Sequence, residues 1–477
     1  MAQATQLRSI DTPESAAQRI FLLQKTAYRK QPFPPFNERI KNLNKLEKML
    51  LDNTDNITAA IAADFGHRSA IETKLLEIFG NLSAIRDARK HLKKWMKPQK
   101  RRTSIMFVTG KNLLIPQPKG IIGIGTPWNY PLYLSMGPII CALAAGNRCM
   151  VKLAANSQNL CNLLQKLCAE TFGEDTVAYL PGVSGSEFTS LPFDHIVYTG
   201  SAESGKTVMK SAAENLCPVT LELGGKSPVV VCDDYDLEEA ARRLLYTKYM
   251  NAGQTCVAPD YLFLPEDKVD TFVEYARRVV TERYPDTNNE DYTSVIDTRS
   301  FKRLRDTLDD AIAKGASAIN LTGNDFNEEL RKFPPHIVVN PTSDMVIMQE
   351  EVFGPILPVM SYRSIDEALT YINDRDRPLA LYVFTDDEAI QEKVLYETMS
   401  GGVTINHCAF HVFQHDIPFG GVGASGIGHY HGYEGFLELS KLRPVFTFPK
   451  VGKPDLFYPP YSKFHSRLFT VLNKLKL

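Results

Sequence analysis

The order of short apolar runs and helical segments predicts an α/β protein with parallel sheets. From residue 121 onward, short apolar runs alternate with longer segments whose apolar positions follow helical spacing. After Glu222 the alternation starts again, which indicates a second α/β unit. At 477 residues the chain exceeds the size at which a single core stops growing, so two or three domains are expected.

Helices are predicted before the first sheet. Apolar residues recur at helical spacing around residues 16–28 and from Phe36 through Leu50. Two short strands, Ser104–Val108 and Asn112–Ile115, are predicted to pair through a turn at Gly110.

The alternating region supplies the remaining elements. The predicted strands of the first unit are Ile121–Ile124, Cys149–Lys152, Val177–Leu180 and His195–Thr199, with helices at Leu134–Ala145 and Asn159–Phe172. The second unit has predicted strands at Val229–Cys232, His336–Val339, Ile356–Met360 and Leu379–Phe384, with helices at Leu237–Met250 and Phe272–Arg283.

Composition and charge exclude several classes of function. The formal net charge is -1, with 44% hydrophobic and 23% charged residues, which are ordinary globular values. The basic run at residues 93–102 is short and is interpreted as a solvated surface, so no nucleic-acid partner is expected. The N-terminus lacks an apolar signal region, and no stretch is long enough to span a bilayer. Eight cysteines without C-x-x-C pairs fit a cytoplasmic location.

Three polar residues suited to acyl chemistry occur in separate segments. Cys256 ends the turn-prone segment Asn251–Cys256, where a thiol is placed to react. Glu222 stands two residues before a Gly-Gly pair, and Asn129 stands between two prolines that restrict the backbone. Taken alone, each is more often structural, as a core cysteine, a surface carboxylate or a turn residue. Together they supply a nucleophile, a base and an amide donor.

The segment Thr199–Gly205 follows a predicted strand and opens a predicted helix. A dinucleotide pyrophosphate can use the free backbone N–H groups at such a turn, and Gly200 and Gly205 would let the backbone approach it. The spacing is not the usual G-x-G-x-x-G, so a purely structural turn remains an equal alternative on this segment alone.

In order and spacing, these motifs together resemble the aldehyde dehydrogenase superfamily. The matching segments are Pro127–Pro131, Thr199–Gly205, Leu221–Pro228, Asn251–Cys256, Glu350–Pro355 and Pro418–Gly426. The resemblance extends from about Ile40 to about Phe446. The segments Gly428–Gly432 and Phe457–Phe464 look most like the class 3 group, which includes bacterial coniferyl aldehyde dehydrogenases.

The resemblance implies a fold with three parts and a tail. A Rossmann-like cofactor domain would comprise residues 1–97 and 119–222, and an α/β catalytic domain residues 223–407. A small β arm for bridging and oligomerisation would comprise residues 98–118 and 408–450, followed by an amphipathic tail at 451–477. Such an arm implies a homodimer.

The resemblance also assigns roles to individual residues. Cys256 would be the nucleophile, Glu222 the base that activates the hydrolytic water, and Asn129 an oxyanion donor beside the Cys256 amide. Glu351 would contact the nicotinamide-side ribose, and Phe353 would pack beside the nicotinamide. The residues implied in binding NAD, with NADP as a second cofactor, are Trp128, Lys152, Gly200, Ser201, Gly205, Gly225, Glu351 and Phe353.

One departure from the family pattern bears on the choice of cofactor. Where most of the family has Lys-Pro-Ser-Glu, this chain reads Lys152-Leu153-Ala154-Ala155. The glutamate usually holds the adenosine ribose and would repel a 2′-phosphate, whereas Ala155 would not. A weaker preference for NAD, with NADP tolerated, is therefore expected.

Several histidines and aromatic residues precede the C-terminal glycine motif. His407, His411 and His415 would share a helical face, but the nearby proline and glycines favour a loop, so no metal site is expected. Phe410 and Phe413, with Tyr133, are candidates for lining a substrate tunnel; simple packing aromatics remain an equal alternative. Residues 462–477 are basic and amphipathic and are expected to pack against the protein, so membrane association is not expected.

The sequence therefore predicts an NAD(P)-dependent oxidation of an aldehyde to its acid through a cysteine thioester. An apolar or aromatic aldehyde is expected, with coniferaldehyde as the named candidate. Medium- or long-chain aliphatic aldehydes, a cofactor-independent thiol esterase and a purely structural protein are the alternatives.

Overall fold

The computed structural model describes residues 15–104, 107, 109–448 and 458–474. The predicted α/β class is confirmed by helices that precede and cover two largely parallel sheets. The α-helices are α1 (Ala16–Lys30), α2 (Phe36–Asp52), α3 (Thr54–Phe65), α4 (Ala70–Glu72), α5 (Gly80–Trp95), α6 (Pro131–Ala145), α7 (Gln158–Thr171), α8 (Gly185–Thr189), α9 (Ala202–Ala213), α10 (Leu237–Tyr249), α11 (Val269–Arg283), α12 (Thr298–Ala313), α13 (Val346–Gln349), α14 (Ile365–Asn373), α15 (Glu388–Glu397), α16 (Gly432–Glu438) and α17 (Lys463–Lys474).

Shorter helical turns and the strands complete the elements. A π-helical turn spans Thr73–Phe79, and 3₁₀ turns span Met250–Gly253, Glu266–Lys268 and Phe410–Phe413. The strands are β1 (Gln99–Arg101), β2 (Lys111–Pro118), β3 (Ile121–Thr126), β4 (Arg148–Leu153), β5 (Val177–Tyr179), β6 (His195–Gly200), β7 (Val219–Leu223), β8 (Pro228–Val231), β9 (Tyr261–Pro265), β10 (Ser317–Asn320), β11 (His336–Val339), β12 (Ile356–Tyr362), β13 (Ala380–Phe384), β14 (Gly402–Ile405), β15 (Gly426–Ile427) and β16 (Ser440–Thr447).

The first sheet has the strand order β15-β7-β6-β3-β4-β5. Its strands run parallel except for β15, which pairs antiparallel with β7 and sets Gly426 opposite Glu222. Every residue of β3 is buried, as expected for a central parallel strand covered on both faces. The carboxyl ends of β3, β6 and β7 therefore meet at one edge, where α/β proteins bind their ligands.

The second sheet has the order β10-β11-β12-β9-β8-β13-β14. Only β10 is antiparallel to its neighbour among the strands that the structure describes in this sheet. The third sheet is a small antiparallel one with the order β1-β2-β16. It joins chain segments on either side of the two larger sheets.

Helix α6 is held at both ends by buried charged side chains. At its start, Glu77 Oε2 accepts hydrogen bonds from the backbone N–H groups of Leu132 (2.7 Å) and Tyr133 (3.1 Å). At its end, Arg39 donates to the carbonyls of Ala144 (3.0 Å) and Ala145 (2.7 Å). The two charges satisfy backbone groups that a helix leaves unpaired, and their signs match the helix dipole.

The predicted hairpin between residues 104 and 115 differs from the structure. The partner of the second segment is β1, with Lys100 opposite Leu113, and Ser104 lies outside any strand. Residues 105, 106 and 108 of the predicted first strand lie outside the described residues. Phe107 instead packs its ring edge-on against Phe446 of β16, with centroids 5.7 Å apart. This contact with a distant strand was not visible in local alternation.

The C-terminal helix α17 has no buried residue. Leu468 and Leu472 are half-buried, whereas Phe464 and Phe469 are 57% and 66% exposed. The half-buried residues lie on one stripe of α17, and the expected packing of the tail against the protein stays a prediction. Residues 451–457 and 475–477 lie outside the described part. Within the described ranges, no helix combines the length and apolar composition needed to cross a membrane.

Candidate active site

A cavity of about 760 Å³ lies at the carboxyl edge of the first sheet. It is enclosed by the turns after β3 and β6, the end of β7, and the loops that precede β9 and β12. Its lining residues are Pro127, Trp128, Asn129, Leu134, Thr199, Gly200, Ser201, Glu222, Leu223, Gly224, Cys256, Glu351, Phe353, Leu379 and Phe419. The thiol, the carboxylate and the amide singled out in the sequence thus face the same space.

The loop that carries Cys256 has an unusual backbone. Asn251 and Ala252 have φ values of 52° and 51°, and Gly253 follows with 74°. Two consecutive left-handed residues other than glycine are strained, so surrounding contacts must hold them. At Gly253 a Cβ atom would collide with the carbonyl of Gly354, so only glycine fits there.

Gln254 ties this loop to its surroundings from within. Its Nε2 donates to the carbonyls of Asn251 (2.9 Å) and Ser294 (3.1 Å), and its Oε1 accepts from the N–H of Ile296 at 2.9 Å. The side chain is fully buried with three hydrogen bonds. These bonds therefore fix the part of the loop that directly precedes Cys256 in the chain.

The Cys256 thiol is in an environment that favours its neutral form. Burial, together with charge repulsion from the carboxylates of Glu351 and Glu222, raises its pKa to about 12. Hydrogen bonds from the backbone N–H groups of Cys256 and Val257 act in the opposite direction. In the cavity as it stands, Cys256 is therefore a thiol at neutral pH, and its activation needs positive charge or polarity brought in by bound groups.

Glu222 is the most isolated charged group in the cavity wall. It lies on β7, is 2% exposed, and neither carboxylate oxygen has a hydrogen-bond partner among the described residues. Burial raises its pKa well above the usual carboxyl value. A buried carboxylate without a partner is costly to stability, so its retention indicates a role in chemistry. A raised pKa suits a general base that must also release its proton.

Asn129 is fixed at the opposite wall by its own backbone and side chain. Its carbonyl accepts hydrogen bonds from Arg68 Nη1 (2.9 Å) and Asn251 Nδ2 (3.1 Å). Its side-chain Nδ2 donates to the carbonyl of Gln254 at 3.2 Å. Since that amide has two N–H groups, one of them remains for a ligand in the cavity. Asn129 and Cys256 are thus held by one connected hydrogen-bond network.

The loop that carries Glu351 and Phe353 is held by a second buried network. Lys226 forms an ion pair with Asp260 and donates to the carbonyls of Ile347 and Glu350, both at 2.8 Å. Asp260 accepts from the Val352 N–H at 2.8 Å. These bonds place the loop over the Gly-Gly pair that follows β7.

Glu351 and Phe353 consequently face the cavity. Burial and the nearby Asp260 raise the pKa of Glu351 to about 8, although the N–H of Gly225 donates to it. The Glu351 carboxylate lies so close to Gly224 that a Cβ atom there would collide with it. Phe353 has a φ of 44° and packs edge-on against Trp128, with ring centroids 5.4 Å apart.

The other predicted cofactor residues divide into two groups. Trp128, Gly200 and Ser201 line the cavity, and Ser201 caps α9 by accepting from the Ser204 N–H at 3.3 Å. Gly205, Gly225 and Lys152 do not line it. At Gly205 a Cβ atom would lie 2.7 Å from Leu223, so this glycine lets α9 pack on β7. Lys152 lies at the end of β4 and donates to the carbonyl of Leu153 at 3.1 Å.

A second, apolar cavity of about 750 Å³ lies beside the loop that precedes Cys256. Phe410 and Phe413 line it, whereas Tyr133 lies in the wall of a different cavity. We call this space the vestibule; its lining residues are Leu75, Leu76, Phe79, Gly80, Ser83, Tyr246, Thr247, Met250, Cys408, Ala409, Phe410, Phe413 and His415. Leu75 and Phe79 are 57% and 58% exposed, so its mouth presents an apolar surface to solvent.

The three histidines before the glycine motif bind separate partners. His411 Nδ1 lies 2.8 Å from Thr404 Oγ1, and His415 Nε2 lies 3.0 Å from Ser83 Oγ. His407 Nδ1 lies 3.0 Å from the Cys408 carbonyl. In the part of the chain that the structure describes, no cluster of three or more His, Cys, Asp or Glu side chains has a metal-binding arrangement.

Residues 7–445 match the sequence model of the aldehyde dehydrogenase family. The chain belongs to the aldehyde dehydrogenase family. A relative from Pseudomonas aeruginosa, named "Probable coniferyl aldehyde dehydrogenase", is 47% identical over 448 residues, which cover 93% of each chain. These findings confirm the family resemblance inferred from the motifs.

Solved structures of aldehyde dehydrogenases have the same fold. The substrate-bound state of Staphylococcus aureus AldH gives a TM-score of 0.90 at 33% identity and covers 96% of this chain and 99% of the other. A Mycobacterium tuberculosis aldehyde dehydrogenase complexed with NAD⁺ gives 0.81 at 28% identity, with 92% of each chain covered. The protein is therefore an NAD(P)-dependent aldehyde dehydrogenase, as the sequence predicted.

The cavity fits a nicotinamide dinucleotide. The N-terminus of α9 follows β6 at the cavity wall, and its free N–H groups suit a pyrophosphate. Trp128 and Phe353 offer apolar ring faces, and Glu351 offers an acceptor for a ribose hydroxyl. The unpartnered carboxylate of Glu222 faces the same space.

Several residues that hold the site were missed in the sequence. Arg68 lies in the short connection after α3 and Glu77 in the π-helical turn, where charged residues are usually solvated, and Asp260 lies four residues after Cys256. The one available signal for Asp260 was its closeness to Cys256 in the sequence, because a carboxylate so near the loop that carries the nucleophile is a candidate for holding that loop in place.

Proposed function

We propose that this aldehyde dehydrogenase oxidises an apolar aldehyde, with aromatic aldehydes such as coniferaldehyde preferred, to the acid through a thioester on Cys256. The observation that carries the proposal is the shared cavity of Cys256, Glu222 and Asn129. The Pseudomonas aeruginosa relative, at 47% identity, supports the aromatic substrate.

Addition of the Cys256 sulfur to the aldehyde carbon is the first step. A bond forms between sulfur and carbon, the carbonyl electron pair moves to oxygen, and the thiol proton passes to solvent water. The resulting oxyanion lies within reach of the free N–H of Asn129 and the Cys256 backbone amide. Such a donor typically contributes about 3–4 kcal/mol to the transition state.

The oxidation step turns the tetrahedral adduct into a thioester. When bound, NAD or NADP would supply the hydride acceptor, and the electron pair of the oxyanion would re-form the carbonyl as hydride leaves the former aldehyde carbon. The chain's part is to hold the adduct in place, since Asn129 and the loop that carries Cys256 belong to one hydrogen-bond network. The apolar rings of Trp128 and Phe353 exclude water from this side of the cavity.

Glu222 then acts as the base for hydrolysis. It accepts a proton from water while the water oxygen attacks the thioester carbon, and the acid leaves as Cys256 regains its sulfur electron pair. Both oxygens of Glu222 are free for this purpose among the described residues. A general base of this kind contributes about 10²–10⁴ in rate.

The vestibule supports an apolar substrate. One of its lining residues, Met250, directly precedes Asn251, the first residue of the loop that carries Cys256. Aromatic side chains at Phe79, Phe410 and Phe413 suit a planar ring by edge-to-face packing. Ser83 and His415 add polar atoms that could bind a ring hydroxyl. An aliphatic aldehyde would use the apolar surface but not these polar atoms.

Dual use of NAD and NADP is proposed from Ala155. This residue is exposed in the turn after β4, at the carboxyl edge of the first sheet. Lys152 on the same strand end is half-buried, and burial lowers its pKa. A cation without a competing carboxylate at this edge favours tolerance of a 2′-phosphate.

A homodimer in the cytoplasm is proposed. Strand β14 is at the edge of the second sheet, and Tyr396 and Met399 beside it are 85% and 55% exposed. An edge strand beside apolar side chains is suited to pairing with a second copy. The proposed domains are residues 1–97 with 119–222, 223–407, and 98–118 with 408–450. Analytical ultracentrifugation tests the dimer.

Absorbance of reduced nicotinamide tests the proposed activity. Purified protein with NAD or NADP is offered coniferaldehyde, benzaldehyde and hexanal, beside a Cys256→Ala control. Coniferaldehyde is expected to give the highest kcat/KM, with signal lost in the control. A higher kcat/KM for hexanal would reject the aromatic preference. Ester hydrolysis without hydride transfer to either cofactor would favour the thiol esterase instead.

A further inference from the structure

A buried ion pair lies behind the active site on a segment that belongs to no family motif. Arg68 follows α3 and Glu77 lies in the π-helical turn, and both side chains are fully buried. Arg68 Nη1 is 2.6 Å from Glu77 Oε1. Desolvation offsets most of the attraction in such a pair, so stability alone does not explain it. The contacts that the two residues make with the site are more informative.

Arg68 fixes the backbone of the oxyanion donor. Its Nη1 donates to the Asn129 carbonyl at 2.9 Å. Its guanidinium lies over the rings of Tyr130 and Phe65, at 4.7 Å and 5.0 Å from their centroids. Ring contacts on the planar group leave it little freedom, and a lysine cannot reproduce this geometry. The peptide that follows Asn129 is thereby held in one position.

Glu77 fixes the same turn from its other side. The carboxylate accepts from the N–H groups of Leu132 and Tyr133, at 2.7 Å and 3.1 Å. These residues start α6, three positions beyond Asn129. The ion pair therefore clamps the Asn129 turn between two points of attachment.

Glu72, five residues before Glu77, reaches the other half of the site. Its two oxygens each lie 3.1 Å from the N–H of Asn251, and Thr293 Oγ1 donates to it at 3.0 Å. Asn251 is the first of the strained left-handed residues and donates its Nδ2 to the Asn129 carbonyl at 3.1 Å. One short segment thus holds both the Asn129 turn and the loop that carries Cys256.

We propose that Arg68, Glu72 and Glu77 form a positioning unit that sets the separation between the Asn129 side-chain amide and the Cys256 sulfur. They are positioning residues, since none of the three lines the cavity that Cys256, Glu222 and Asn129 share. The inference rests on the proposed function, because it requires that Asn129 stabilises the oxyanion. An error of about 1 Å in such a separation lowers the rate by about 100-fold, so a dedicated clamp has a clear effect.

The test compares Arg68→Lys with a matched control, Arg39→Lys. Arg39 is 1% exposed and donates to carbonyls at the C-terminal end of α6, whereas Arg68 donates to the turn that precedes α6. Each variant therefore removes a buried guanidinium next to one end of this helix. We expect both to lower Tm, but only Arg68→Lys to lower kcat, by about 10–100-fold with KM changed less than about threefold. An Arg68→Lys that lost no more kcat than Arg39→Lys would overturn the proposal.

Two further measurements separate positioning from general damage. In Arg68→Lys with Asn129→Ala, kcat should be no lower than in Asn129→Ala alone, because Arg68 acts through Asn129. Alkylation of Cys256 by iodoacetamide forms no oxyanion, so its rate should stay within about twofold of wild type. Multiplied losses in the double variant, or alkylation slowed as much as kcat, would contradict the proposal.

A second variant and a second substrate keep the test decisive. Glu77→Gln retains an acceptor for the N–H groups at the start of α6 but loses the charge facing Arg68, and should lower kcat in the same direction. Hydrolysis of 4-nitrophenyl acetate also passes through an oxyanion without any cofactor. A wild type that hydrolyses this ester but oxidises no aldehyde would reject the proposed function, while Arg68→Lys and Arg39→Lys could still be compared in the ester assay.

Discussion

Replacing Glu222 by glutamine should separate oxidation of the aldehyde to the thioester from hydrolysis of the thioester. Glu222 is 2% exposed and neither oxygen has a partner among the described residues, so an amide of the same shape leaves no other group unpaired. The variant should therefore fold and bind as wild type. Addition of Cys256 and hydride transfer do not use this side chain in the proposed mechanism, whereas hydrolysis of the thioester does.

The expected magnitude follows from the loss of a general base. Steady-state turnover by Glu222→Gln should fall by about 10²–10⁴. In stopped-flow absorbance, one equivalent of reduced nicotinamide per active site should still form rapidly, followed by a slow steady state. In wild type, turnover should decrease with falling pH from above the usual carboxyl range, because burial raises the pKa of Glu222. The variant should lose this dependence.

Two results would refute this reasoning. Loss of the rapid phase in Glu222→Gln would mean that the carboxylate acts before hydrolysis. Unchanged steady-state turnover would mean that another group activates the water. Asp297→Asn, at the half-buried N-cap of α12, is a suitable control for the same type of substitution away from the cavity.

Three other predictions concern the donor, the cofactor and stability. Asn129→Ala should lower kcat by about 10²–10³ with KM little changed, measured by the same absorbance assay. Ala155→Glu should lower kcat/KM for NADP by about tenfold or more and leave NAD within about threefold, because the new charge repels the 2′-phosphate. The raised pKa of Glu222 means that the folded state prefers the protonated carboxyl, so wild-type stability declines as pH rises through that pKa. Glu222→Gln should therefore raise Tm more at pH 9 than at pH 5, by differential scanning fluorimetry.

The sequence was sufficient for the alternation of strands and helices and for three residues that face the cavity, Cys256, Glu222 and Asn129. A short, continuous apolar run predicts a parallel strand such as β3, because both faces of such a strand are buried. Cys256, Glu222 and Asn129 were found through the order of short motifs, whose residue types are dictated by the chemistry. Their meeting in one cavity depended on the strand order β7-β6-β3, which local patterns do not contain.

Other features depend on contacts between distant segments. The sequence predicted Ser104–Val108 as the partner of the second segment, whereas the structure pairs β1 with β2. Phe107 of that predicted strand packs instead on β16, which lies hundreds of residues away in the chain. The left-handed backbone of Asn251 and Ala252 could not be predicted, since neither residue is glycine and the strain is held by Glu72 and Gln254. Charged residues are usually solvated, so nothing in the local sequence predicted that Arg68 is buried.

Mass spectrometry of the covalent intermediate tests the central claim most directly. Glu222→Gln is mixed with coniferaldehyde and NAD, quenched in acid, and digested. The account predicts an added acyl group on the peptide that contains Cys256, and no such group in Glu222→Gln with Cys256→Ala. An acyl group on another cysteine, or oxidation of the aldehyde without any covalent adduct, would contradict it.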